Sequence, residues 1–132
     1  MPAFNLKQIL AVDAVTCLAV FGAGVCATAA VAPLLGLPKA IVAAGGWICL
    51  AAALLMLLTV ARKVPSRALV NLIALGNFGW VAASLAVVGT YSVQMTTVGI
   101  VGVSAMALGV LVFAIIEAVG AKALAGLQLA TN

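Results

Sequence analysis

The stretch that decides the fold is MTTVGIVGVSAMALGVLVFAIIEAV, Met95–Val119. Its 25 residues contain a single ionisable side chain, Glu117, and its apolar residues are continuous instead of alternating with polar ones. At a rise of about 1.5 Å per residue, a helix of this length spans the roughly 30 Å hydrocarbon core of a bilayer. The stretch therefore predicts a transmembrane helix, because a membrane β-strand would alternate over about ten residues.

Three stretches earlier in the chain have the same character. The four predicted spans are residues 9–31, 41–61, 68–89 and 95–119. Of 132 residues, 67% are hydrophobic and 6% are charged, and no polar segment is large enough to fold as a soluble domain. The sequence predicts one all-α domain, residues 1–132, in the form of a polytopic four-helix transmembrane bundle.

The basic residues predict the orientation. With an even number of spans, both termini lie on the same side of the membrane as the loop after the second span. That side holds Lys7, Lys122 and the three basic residues of the loop, whereas the other side holds only Lys39. The positive-inside rule then places both termini in the cytoplasm, and we expect a multi-pass protein of the bacterial inner membrane.

The net charge of +4 is attributed to this topology and to contact with anionic headgroups. Because the basic residues flank the spans and form no extended patch, we expect membrane lipids as partners and no nucleic acid. The chain has no histidine, no Gly-rich phosphate loop and no C-x-x-C pair. We therefore expect no catalytic residue, no metal and no cofactor, and we do not expect an enzyme.

The only acidic residues, Asp13 and Glu117, both fall inside predicted spans. An ionisable group at membrane depth costs at least about 2.5 kcal/mol and marks a functional point by default. Counted from Lys7 and Lys122, the two acids lie roughly 7–9 Å inward and at similar height. Asn77 is expected deeper, at roughly 15 Å and close to the midplane.

These positions allow two arrangements. In the first, a polar cluster lies inside the bundle, and its members are Asp13, Thr16, Asn77, Ser84 and Glu117. The two carboxyl groups would then share a proton or recruit a basic side chain such as Lys7 or Lys122. In the second, each acid extends separately towards the headgroups and hydrogen-bonds its own helix end. The sequence leaves both arrangements open.

Small residues predict where helices pack. Gly99, Gly102 and Gly109 share the face of Glu117 on the last span, and regularly spaced glycines let a neighbouring backbone approach closely. We expect another helix in this groove, and we count Trp80 of the third span among the helix-packing residues. The second span has the weakest polar face and is expected to be the most lipid-exposed.

Several short motifs recur together in one group of membrane proteins. They are Asp13-Ala14, LLGLP (residues 34–38), Ala61-Arg62, NFGWVAAS (residues 77–84), Phe113 and Glu117. On these motifs the chain resembles a family of uncharacterised small integral membrane proteins of bacteria with four transmembrane helices. It departs from their pattern at Ala118, where a polar residue often follows the glutamate. The resemblance implies the fold, the topology and a polar set of Asp13, Asn77, Trp80 and Glu117, and it implies no activity.

Three functions agree with the sequence. The main expectation is a non-enzymatic structural or accessory subunit that acts through helix packing, either as a homo-oligomer or within a larger membrane complex. The second is a small oligomeric transporter or channel coupled to protons or cations through Asp13 or Glu117. The third is a lipid- or pigment-binding module that holds a hydrophobic molecule against Trp47 or Trp80.

Overall fold

The computed structural model describes residues 3–131 of the chain, and the side chains of residues 5–130. Its elements are α1 (Ala3–Phe21), a π-helical segment (Gly22–Cys26), α2 (Thr28–Leu35), α3 (Lys39–Ala61), α4 (Arg67–Tyr91) and α5 (Thr97–Thr131). Within this part of the chain, four stretches are long and apolar enough to span a membrane: Asn5–Cys26, Lys39–Ala61, Arg67–Tyr91 and Thr97–Ala130. The predicted all-α transmembrane bundle is confirmed.

The first span differs from its prediction because it is not one uninterrupted helix. A π-helical segment, Gly22–Cys26, follows α1, and the chain bends at Ala27 before α2 begins. Pro33 lies inside α2 instead of ending it. The helix ends at Gly36, whose φ of 72° is left-handed, a backbone conformation that favours glycine as a helix stop.

The bundle consists of two helix pairs. α1 and α3 pack closely along their lengths, as do α4 and α5, and the pairs meet through α1 with α5 and through α3 with α4. α3 has the largest buried share of the four spans, so the expectation that it would be the most lipid-exposed is wrong. Its alanines and glycines leave little side-chain bulk between it and α1, so the two helices can lie close together.

Thr96 joins the elements at one end of the bundle. Its hydroxyl donates to the carbonyl oxygen of Leu34 at 2.6 Å, and its backbone N–H donates to that of Leu35 at 3.1 Å. The same hydroxyl accepts the N–H of Gly99 at 2.9 Å, so Thr96 also caps the start of α5. This side chain therefore fixes α2 to α5 far from both termini.

The apolar core lies at the opposite end, which holds the start of α1, the end of α3, the start of α4 and the late turns of α5. Its buried members are Leu6, Leu10, Ala14, Met56, Val70, Ile73, Ala121 and Leu124. One helical turn above this layer, towards the middle of the bundle, α1, α4 and α5 each carry one polar side chain. The core therefore sets the height at which those side chains meet.

Candidate functional site: a buried carboxyl–amide centre

Asn77 holds both acidic side chains of the chain. Its Nδ2 donates to Asp13 Oδ2 at 2.7 Å and to Glu117 Oε2 at 2.8 Å. Both carboxyl groups are fully buried, and Asn77 is only 6% exposed. The structure thus brings together three of the predicted cluster residues from three helices, and we call this group the carboxyl–amide centre.

Each member is positioned by an apolar neighbour one turn away on its own helix. Leu10 precedes Asp13 on α1, Ile73 precedes Asn77 on α4, and all of them face the same interior. On α5, Ala121 follows Glu117 by one turn and is itself completely buried. Residues three or four apart share a helix face, so packing of the core turns the polar residues inward.

Lys7 and Lys122, the basic residues considered as partners of the acids, lie elsewhere. Lys7 donates its ammonium group to the backbone carbonyl of Arg62 at 2.5 Å, where it caps the end of α3. Lys122 is exposed on α5. Among the described residues, the groups that interact with Asp13 and Glu117 are Asn77, Cys17, Cys49 and each other, with no lysine or arginine.

One carboxyl oxygen has no hydrogen-bond donor. Glu117 Oε1 is buried and accepts no hydrogen bond from the described part of the chain. Asp13 Oδ1 has only a long contact of 3.9 Å from the Cys17 thiol. Buried polar atoms are nearly always hydrogen-bonded, so these two oxygens are the places where a proton would satisfy the centre. Because the carboxyl groups are neighbours, a proton on one can be shared with the other.

Two residues expected in the cluster are not part of it. Thr16 donates its hydroxyl to the carbonyl of Val12 at 3.0 Å, within its own helix. Ser84 is buried but lies about two turns beyond Asn77 on α4. Cys17 was missed, although its position four residues after Asp13 places it on the same face of α1.

A cavity of about 120 Å³ adjoins the carboxyl–amide centre. Asp13 and Asn77 line it together with Cys17 of α1, Cys49 of α3 and Trp80 of α4. The cavity therefore lies between all four long helices. Asp13 lines this cavity and is accessible from it, whereas Glu117 is not among its lining residues.

A second cavity, of about 300 Å³, lies further from the termini. It is bounded by the π-helical segment and by α2, α3, α4 and α5, with Val20 of α1 at its edge, and its lining is almost wholly apolar. Four residues line both cavities, namely Val20, Ile48, Trp80 and Met106. The two cavities are therefore adjacent.

Trp80 forms part of the wall between the cavities. Its ring packs over α3 at Gly45, where an added Cβ would lie 3.4 Å from the indole. Its Nε1 is buried and has no hydrogen-bond partner among the described residues. Trp80 therefore packs two helices together, as predicted from its face, and also presents an unused donor beside the cavities.

The predicted glycine groove is only partly occupied. Gly99 is buried, and a Cβ there would overlap the carbonyl oxygen of Leu35. Gly102 and Gly109 are exposed, with open space where a Cβ would be, so no helix of the described chain occupies this part of the groove and the expected helix contact there stays a prediction. α5 meets α4 and α1 through other faces. Gly24 of the π-helical segment also lies close to α3, where a Cβ would be 2.8 Å from the carbonyl oxygen of Val42 and 3.2 Å from Cα of Gly46.

The π-helical segment borders the larger cavity through Ala23 and Gly24. The Thr28 hydroxyl donates to the carbonyl of Gly24 at 2.5 Å and to that of Val25 at 3.1 Å. These bonds satisfy carbonyls that a regular helix would pair with backbone N–H groups, which is how a break is tolerated at membrane depth. Single π turns within α-helices occur frequently at functional sites.

A centre of this composition can take up and release a proton, because two neighbouring carboxyl groups share few donors in a water-poor interior. A metal site has no support, since the described residues include no group of three or more His, Cys, Asp or Glu able to hold an ion. No protein-family model, curated protein or solved structure matches the chain.

Proposed function

We propose that this membrane protein is a small transporter in which Asp13 and Glu117 bind and release a proton. One observation carries the proposal: a single amide bridges two fully buried carboxyl groups that have no basic partner in the described part of the chain. Such a pair is expensive to keep in a bilayer, and a bundle that needed only packing would be more stable with apolar residues there. The proposed transport function involves no enzymatic reaction.

The adjoining cavities support transport over a purely structural role. In proton-coupled transport, the solute must displace the proton, so both must reach the same group. Asp13 meets this requirement because it belongs to both the carboxyl–amide centre and the smaller cavity. Asn77 holds Glu117 beside Asp13 through its two hydrogen bonds. Glu117 therefore acts as the proton-sharing partner, while Asp13 faces the transported molecule.

The positive-inside rule supports an orientation with both termini in the cytoplasm of a bacterial cell, in its inner membrane. The five basic residues on the side of the termini, against Lys39 on the other, carry this part of the proposal. In this orientation the carboxyl–amide centre is nearer the cytoplasm, and the larger cavity is nearer the outer side.

Infrared difference spectra between acidic and alkaline buffer test the proton site directly. A protonated carboxyl group has its own carbonyl stretch, and we expect a band of this kind that depends on Asp13 and Glu117 and changes with pH. Asp13→Asn and Glu117→Gln should each change this band, whereas Asn71→Leu, on the exposed face of α4, should leave it unaltered. A pH-dependent spectrum of the folded protein in which no carboxyl band is altered by Asp13→Asn or Glu117→Gln would overturn the proposed function.

A second candidate function is that of a packing subunit, and the open glycines favour it. Gly102 and Gly109 lie exposed on one side of α5, where a second copy of the chain or a larger complex could approach the backbone. Gly102→Leu and Gly109→Leu should then lower the mass of the assembly in detergent. Gly79→Leu, at an equally open position on α4, is the matched control. If all three variants keep the mass of the wild type, this candidate is eliminated.

A further inference from the structure

We propose that the two adjoining cavities form one binding site for a lipophilic cation, with its apolar body in the larger cavity and its charge towards Asp13. This inference rests on the proposed function, since it names the class of molecule that the proton site would exchange with. The shape, the lining and the charge of the cavities each support it.

The larger cavity fits an apolar body. Its volume of about 300 Å³ lies at the lower end of the range for small-molecule sites, roughly 300–1,000 Å³. Aliphatic side chains, glycines and alanines from six helical segments form nearly all of its surface. Such a lining binds by excluding apolar surface from water and gives no preference for a polar solute.

The charge of the lining decides which apolar molecules fit. Asp13 is the one charged residue among those that line either cavity, and no basic side chain borders them in the described chain. In an interior of low dielectric, a carboxylate attracts a cation and repels an anion far more strongly than it would in water. The site therefore favours a hydrophobic molecule with one positive charge over its neutral or anionic counterparts.

Trp80 adds a second preference for a cation. Its indole lies where the two cavities meet, so a molecule that fills both passes beside the ring. The face of a tryptophan ring attracts a cation by about 0.5–2 kcal/mol. Its unpartnered Nε1–H remains able to donate to an acceptor elsewhere on the ligand.

The proton balance follows from the carboxyl–amide centre. When the cation reaches Asp13, its positive charge takes the place of the proton that Asp13 and Glu117 shared, and the proton leaves to the aqueous phase. The total charge of the occupied site stays the same. Binding of one cation should therefore release up to one proton, which is the elementary step of exchange.

Tetraphenylphosphonium and tetraphenylborate are suitable probes, because they have nearly the same shape and opposite charge. In a Trp47→Phe background, Trp80 is the sole tryptophan. We expect saturable changes in Trp80 fluorescence with tetraphenylphosphonium, and none that saturate with tetraphenylborate. Asp13→Asn should weaken the phosphonium affinity by about tenfold or more, whereas Asp13→Glu, which keeps the charge, should retain saturable binding.

Alkylation of the wild-type protein gives a measurement that needs no variant. Cys17 lines the smaller cavity, whereas Cys26 is exposed and lines neither. Tetraphenylphosphonium should slow the reaction of N-ethylmaleimide with Cys17 and leave that of Cys26 unchanged, as read by peptide mass spectrometry. Equal effects on the two cysteines, or equal effects of the two probes, would overturn the inference.

The outcomes separate this inference from the proposed function. If the infrared band titrates but neither probe binds saturably, the proton site stands and the lipophilic-cation class is wrong. A tightly copurifying neutral lipid that protects Cys17 in place of the cation would also refute that class. If no carboxyl group titrates, the proposed function fails, and the cation site fails with it because it depends on proton exchange.

Discussion

Replacement of Asn77 by leucine removes the link of the carboxyl–amide centre and keeps the number of side-chain heavy atoms. In the wild type, Nδ2 of Asn77 donates one hydrogen bond from α4 to α1 and one from α4 to α5, at 2.7 and 2.8 Å. Leucine can donate neither. The variant therefore tests whether these two bonds hold three helices together.

The expected loss follows from values for bonds inside membranes. Interhelical hydrogen bonds there contribute about 0.6 kcal/mol on average and up to about 1.7 kcal/mol each, so two contribute about 1–3 kcal/mol. Asp13 Oδ2 and Glu117 Oε2 would also be left without their donor in a buried position, which costs about 1 kcal/mol more. We expect Asn77→Leu to lower the free energy of unfolding by about 2–4 kcal/mol.

Reversible unfolding in mixed micelles, followed by the loss of helical circular dichroism, measures this quantity. Asn71→Leu is the matched control, because it makes the same substitution on the exposed face of the same helix and should change stability by less than about 0.5 kcal/mol. If the two variants are equally stable, the centre does not tie the helices together, and the reasoning from its geometry is refuted.

Three further predictions concern the first span and the orientation. Gly24→Ala should lower the free energy of unfolding by about 1–3 kcal/mol, because the new Cβ would lie 2.8 Å from a backbone oxygen of α3. Gly22→Ala, with open space around it, should be neutral or slightly stabilising in the same unfolding assay. Thr28→Val should cost about 0.5–1.5 kcal/mol by leaving carbonyls of the π-helical segment unpaired, and no loss in thermal unfolding would contradict this role. In a background without the three native cysteines, Lys63→Cys should react with an impermeant maleimide only from the cytoplasmic side and Lys39→Cys only from the outside, and labelling of both from one side would refute the orientation.

The spans could be predicted because a bilayer restricts the chain to long apolar helices, so length and hydropathy suffice. The height of the two acids could also be counted from the flanking lysines. The contact of Asn77 with both acids could not be derived from the residue count, because that count follows backbones and ignores side-chain direction. Side chains tilt towards the N-terminus of their helix, so Asn77 on α4 and Glu117 on the antiparallel α5 lean towards each other.

Rotation of a helix about its axis could not be predicted in the same way. The glycine stripe of α5 agreed equally with contact inside the chain and with an open face, and the structure has Gly99 in contact but Gly102 exposed. The π-helical break has no proline to mark it. Its sequence signals were two closely spaced glycines and the hydroxyl of Thr28, residues that also occur in uninterrupted spans.

The break in the first span separates the part that carries Asp13 from the part that forms a wall of the larger cavity. Below it, α1 carries Asp13 and is bound firmly to the core, whereas above it α2 and the π-helical segment form a wall of the larger cavity. Gly24 lies against the backbone of α3, and the chain bends beyond it at Ala27. A substitution in α2 would therefore change the wall of the larger cavity without touching the hydrogen bond of Asp13. The acid of the first span and most of its contribution to the larger cavity thus belong to separate helical elements, which substitutions can alter one at a time.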